Sequence, residues 1–125
     1  MTTPTEPSTA TPPVRRFKDP SYRPVAATLA DLRQRIDTLD TQIVDLLAQR
    51  ALCVQDATRF KRDAFQVQAP ARQAEVFARV RTMAARHEDA FPGFPEIVEA
   101  AYRSLVGGFV AAEGRLFDQT EQIQP

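Results

Sequence analysis

Between residues 26 and 62 the chain contains neither glycine nor proline, and Leu29, Leu32, Ile36, Leu39, Ile43 and Leu46 recur at alternating spacings of three and four. That period belongs to one face of an α-helix. Extended through Arg50, Cys53, Ala57 and Phe60, it predicts a helix of about 35 residues, roughly 50 Å long at the usual rise. Such a helix is far longer than the globular average and needs a partner along its whole stripe, for which coiled-coil-like pairing is the natural solution. The rest of the fold has to be built around this element.

Residues 1–24 carry Pro4, Pro7, Pro12, Pro13, Pro20 and Pro24 among Thr and Ser, which interrupts regular structure and offers little to bury. We expect a flexible leader there, laid over the body near Phe17 and Tyr22, then a helical domain over 25–118 and a short tail over 119–125. Ala64 to Pro70 breaks the first helical pattern. Pro70 suits the first turn of a second helix, running to about Arg86 with Val76, Phe77, Val80 and Met83 on its apolar side. His87 to Pro95 reads as a loop, and a third helix is expected from about Pro95 to Phe117 through Ile97, Val98, Ala101, Leu105, Val106, Phe109 and Val110. Gly107 and Gly108 weaken its middle but allow a backbone or ligand to approach. The expected fold class is all-α, a three-helix chain with a very long first helix. About one hundred residues make a marginal core, which favours a homodimer.

Sixteen Lys and Arg balance sixteen Asp and Glu. No general excess of positive charge is available for nucleic acid, and the few aromatics fall mainly on apolar faces. Neither a signal peptide nor a membrane-spanning run is visible, so a cytoplasmic protein is expected. Cys53, the single cysteine, cannot form an intrachain disulfide and reads as a small core residue. His87 lies in a polar setting without a second histidine to complete a metal site. The glycines form no phosphate-cradling motif, and Ser104 has no histidine at a helical spacing to activate it. No cofactor or metal is implied, and the pattern favours chemistry done by positioning and electrostatics.

Three cations stand out by position. Arg50 occupies the apolar stripe, and its i−4 and i+4 neighbours are Leu46 and Val54 rather than acids, so an anion must come from a partner chain or a ligand. Lys61 follows eleven residues later, close enough in angle for both side chains to bend toward one small anion. Arg33 precedes Arg50 by seventeen residues, about 25 Å along a straight axis, too far to share its pocket. If the long helices pair antiparallel across a two-fold axis, Arg33 of one chain enters the site holding Arg50 and Lys61 of the other. The plainer alternative stands beside it from the pattern alone: Arg33, Arg35, Arg50 and Arg59 facing solvent or pairing with Asp31, Asp37, Asp45, Asp56 and Asp63. Arg72 and Gln73 open the second helix, where unpaired backbone N–H groups favour an anion. Glu113 sits close to the apolar face of Phe109 and Val110, where desolvation would favour a neutral, hydrogen-bond-donating acid.

The segments Leu32-Arg33-Gln34-Arg35-Ile36-Asp37-Thr38-Leu39-Asp40, Ile43-Val44-Asp45-Leu46-Leu47-Ala48-Gln49-Arg50, Arg59-Phe60-Lys61 and Ala69-Pro70-Ala71-Arg72-Gln73, with Glu113, resemble the all-helical chorismate mutase family over about residues 25–118. The resemblance implies a dimer with intertwined first helices and two sites shared between chains. It implies that Arg50 and the partner's Arg33 hold the two carboxylates of chorismate, that Lys61 contacts the ether oxygen and a carboxylate, and that Glu113 faces the ether oxygen as a neutral acid. Arg72 matches a basic position, and Gln73 falls where some members hold the ring hydroxyl with glutamate. The implied reaction is the pericyclic rearrangement of chorismate to prephenate. The family also contains isochorismate pyruvate lyase, which releases salicylate and pyruvate. This chain resembles that branch in Arg59-Phe60-Lys61, in its Ala69-Pro70 loop and in the apolar Phe109. A noncatalytic helical dimerisation module explains the stripe but not an unpaired Arg50 within it.

Overall fold

The computed structural model describes residues 3–123 and divides the chain into two compact units, one through Ala48 and one from Gln49 onward. It is all-α. The elements are α1 (Leu29–Ala57), a 3₁₀ turn (Thr58–Phe60), α2 (Ala64–Gln68), α3 (Pro70–Ala85) and α4 (Phe94–Phe117). Three substantial helices, the first of them the longest, are therefore present, together with a short helix where the sequence suggests only a break.

In the first unit, residues 3–27 form no helix or strand. Phe17 and Tyr22 stack on each other at 4.5 Å, across a turn in which the Asp19 carboxylate accepts hydrogen bonds from the Ser21 hydroxyl and backbone N–H. Those bonds, the hydroxyl's foremost, hold Asp19 below its usual acidity range. Thr28 then starts α1, its hydroxyl accepting from the Asp31 N–H at 3.1 Å, which satisfies one of the donors left over in a first turn. No residue of α1 is buried, and Ile36, Leu39, Ile43 and Leu46 are each more than half exposed.

The second unit holds the core. Val67 from α2, Val80 and Ala84 from α3, and Val106 from α4 are buried, and α4 packs against α3, α2 and the 3₁₀ turn. Met83, expected on the apolar side of the second helix, is exposed, and Ala84 takes the interior place. Ile97 is likewise exposed at the start of α4. At the solvent edge Glu99 accepts from Arg103 and Arg81, and the Arg103 guanidinium lies over Phe77 at 4.5 Å. The Arg103 hydrogen bond leads the causes that hold Glu99 below its usual acidity range. Its contribution to folding is therefore present at neutral pH and fades as pH falls through that depressed value. A methyl group added at Gly107 or Gly108 would meet nothing within 4 Å beyond its own helix.

The helix expected to reach Arg62 instead ends at Ala57, tightens into the 3₁₀ turn and opens to extended backbone at Lys61. The next helix dictates this. Asp63 caps α2 by accepting from the Gln66 N–H at 2.9 Å, and a capping residue needs extended backbone. Because a 3₁₀ turn advances about 120° per residue rather than the 100° of an α-helix, the apolar stripe loses its register: Phe60 is 77% exposed and Thr58 is buried in its stead.

The corner between α2 and α3 is sharp. Ala69 is left-handed, at φ 45°, its N–H bonded to the Phe65 carbonyl and its own carbonyl accepting from the Gln73 N–H. The Pro70 ring disfavours right-handed helical backbone at the residue before it, so one turn stops and another begins within a single residue. A left-handed L-residue carries about 1–2 kcal/mol of strain that glycine does not. Ala69→Gly should therefore raise the unfolding free energy by about 1 kcal/mol, the remainder being offset by the freer unfolded chain. Urea denaturation read by circular dichroism checks this; a lowered midpoint would contradict it.

Candidate active site

A cavity of about 300 Å³ lies within the second unit, between the last turns of α1, the α2–α3 corner and α4. That volume suits a small organic ligand. Val54, Val67, Val76, Val106 and Val110 supply apolar wall, and the polar residues lining it include Arg50, Lys61, Gln68, Arg72, Gln73 and Glu113. Three cations thus oppose one acid around a single space.

Arg50 is half-buried. Its guanidinium lies over the Phe109 ring at 5.1 Å and the Tyr102 ring at 6.0 Å. Aromatic faces attract a cation without neutralising its charge or occupying its fork of N–H donors. Among the described residues no carboxylate comes within ion-pair distance of Arg50. The guanidinium is held in place and remains free to bind an anion.

Glu113 is 5% exposed. A carboxylate so placed needs hydrogen bonds and opposite charge. Its Oε2 accepts from the Thr58 hydroxyl at 3.3 Å and lies 3.7 Å from Lys61 Nζ. Lys61 in turn donates to the Gln66 carbonyl at 3.0 Å. The lysine is not on the long helix, as its spacing from Arg50 suggests, but just beyond the 3₁₀ turn. That turn brings Thr58 and Lys61 to the same carboxyl oxygen.

Arg72 and Gln73 occupy the first turn of α3. Arg72 pairs with Glu75 one turn on and is largely exposed, and the Gln73 side-chain amide donates to the Gln68 carbonyl, which leaves its own carbonyl free to accept. Arg33 is exposed on α1 in the other unit and does not line the cavity. Cys53, expected in the core, is exposed and lines the cavity, because α1 buries nothing along its length. Thr58 escapes the reading by periodicity because it lies off the stripe; its one signal is a hydroxyl four residues after Val54, whose carbonyl it also approaches, at 3.2 Å. No cluster able to hold a metal ion occurs among the described residues, and no helix among them is long and apolar enough to cross a membrane.

Removing the ammonium group leaves the Glu113 carboxylate buried with only the Thr58 hydroxyl for support. Breaking a fully buried pair costs about 3–5 kcal/mol; with Lys61 partly exposed we expect Lys61→Met to cost about 2 kcal/mol. Chemical denaturation of the variant checks the magnitude, and an unchanged midpoint would mean that the pair contributes nothing to stability.

Residues 32–114, about two thirds of the chain, match the family model described as chorismate mutase type II. No curated protein matches the chain significantly.

Proposed function

The chain belongs to the chorismate mutase type II family, isomerases that act on a small dicarboxylate, and we propose that the cavity flanked by Arg50, Lys61, Arg72 and Glu113 is where this chain rearranges chorismate to prephenate. The observation that carries the proposal is the meeting of three cations and one buried carboxyl on a cavity of about 300 Å³. A compact dianion answers that charge pattern.

The reaction is intramolecular: the ether C–O bond breaks as a C–C bond forms between the side chain and the ring. Neither electrons nor protons need to pass to the protein. What the protein contributes is a reactive pose and electrostatic support for the oxygen that gains negative character. Arg50, fixed by Phe109 and Tyr102, grips one carboxylate. Lys61 reaches the ether oxygen and a carboxylate, and Glu113, in its protonated form, donates to the same ether oxygen. Interactions that strengthen as charge develops there lower the barrier rather than merely tighten binding. Arg72 adds positive field at the first turn of α3, and the free carbonyl of Gln73 accepts from the ring hydroxyl.

The second carboxylate requires one more cation, and Arg33 of a second copy supplies it. The exposed stripe of Ile36, Leu39, Ile43 and Leu46 supports this, since a helix with such a stripe gains by pairing along it. Open space beside Gly107 and Gly108 on α4 leaves room for another backbone to come close. Antiparallel pairing across a two-fold axis makes two equivalent sites, each built from both chains.

Two experiments follow. Lys61→Ala should lose most chorismate turnover, by roughly 100-fold or more if the lysine makes a transition-state contact of the kind supplied by oxyanion-hole donors; near-normal turnover would remove it from the chemistry. Arg33→Ala and Lys61→Ala should each be inactive alone. Mixed one to one after unfolding and refolding together, they should recover about a quarter of the wild-type activity, since half the dimers are mixed and each carries one intact site. No recovery, with mixed dimers shown to form, would mean that Arg33 serves its own chain or none.

A further inference from the structure

Glu113 is held unevenly. The Thr58 hydroxyl donates to Oε2 and the Lys61 ammonium lies 3.7 Å from the same oxygen, while Oε1 has no hydrogen-bond partner among the described residues and belongs to a side chain that lines the cavity. Thr58 itself is 2% exposed, and its Oγ1 lies 3.2 Å from the Val54 carbonyl and 3.3 Å from Glu113 Oε2. A hydroxyl has one proton and serves only one acceptor at a time. Whenever Glu113 is ionised its carboxylate is the stronger claimant, because hydrogen bonds to charged acceptors are roughly twice as strong as neutral ones, so a proton that then arrives finds Oε2 already engaged and Oε1 open.

We propose that Thr58 is a positioning residue that determines which oxygen of Glu113 carries the proton: by donating to Oε2 it keeps that oxygen an acceptor and places the acidic hydrogen on Oε1, aimed into the cavity. This rests on the reading of Glu113 as a donor to the ether oxygen. Lys61 acts in the same sense, since an ammonium 3.7 Å from Oε2 repels a proton there. In the opposite arrangement Glu113 would spend its hydrogen on Thr58 Oγ1, Thr58 would turn to Val54, and the substrate would receive nothing. The charged groups facing the carboxyl are Lys61, from beyond the 3₁₀ turn, with Arg50 from α1 and Arg72 from α3 across the cavity. α2 contributes the neutral Val67 and Gln68 to the wall.

The test compares Thr58→Val, which keeps the shape and loses the hydroxyl, with Thr58→Ser, which keeps the hydroxyl. Chorismate turnover is followed in the native and Glu113→Ala backgrounds. Loss of one hydrogen bond of this kind corresponds to a roughly tenfold effect. Thr58→Val should lower kcat about tenfold with KM within about twofold, and Thr58→Ser should restore it. In the Glu113→Ala background the valine substitution should change kcat by less than about twofold.

Full activity in Thr58→Val, failure of serine to restore it, or an equal loss in both backgrounds would each overturn the proposal. If Thr58→Val does not fold, Thr58→Ala removes the hydroxyl without its packing and is read in the same way. Should Glu113→Ala itself retain wild-type turnover, it is the reading of Glu113 as a donor that fails, and the two failures are thereby distinguished.

Discussion

A carboxyl group carried into the interior of a small helical unit must be answered there, and the burial of Glu113 organises the second unit of this chain. The answer comes from Thr58, which opens the 3₁₀ turn that ends the first helix, and Lys61, just beyond it. The turn exists because Asp63 must be extended to cap α2, so a local capping requirement in a five-residue helix sets the geometry at a carboxyl fifty residues further along the chain.

The cations are treated differently from the carboxyl. Arg50 is flanked by aromatic faces, Arg72 pairs with Glu75 at the surface, and Lys61 shares itself between the Gln66 carbonyl and Glu113. Arg50 therefore keeps its hydrogen-bonding fork available at a fixed place, a state that costs free energy in an empty protein and is relieved when an anion arrives. Such an imbalance is a sign of a binding site rather than of structural ion pairing, in which charges are commonly satisfied within the fold.

Much of this was legible before any coordinates. The stripe from Leu29 to Leu46 dictates a long helix, and the same stripe interrupted by Arg50 singles out that arginine, because periodicity makes an unsuitable residue conspicuous. Pro70 marks the start of α3 for a similarly local reason. What the pattern conceals is the behaviour at the helix end. Periodicity assumes about 100° per residue throughout, and three residues of 3₁₀ turn sufficed to expel Phe60, bury Thr58 and take Lys61 off the helix. Met83 and Ala84 differ for a related reason: α3 and α4 approach closely enough that the smaller side chain takes the inner place. Cys53 is exposed because apolar neighbours on a helix signify burial only where that helix is covered, and among the described residues none of α1 is buried.

The central claim is that this cavity turns chorismate into prephenate by holding a dianion and supporting its ether oxygen. The most direct measurement incubates the purified protein separately with chorismate and with isochorismate and resolves the products by chromatography. Efficient formation of prephenate from chorismate, with little salicylate or pyruvate from isochorismate, is the result expected. Preferential release of salicylate and pyruvate from isochorismate would contradict the account, and would mean that the same cationic walls serve elimination of the side chain rather than its rearrangement.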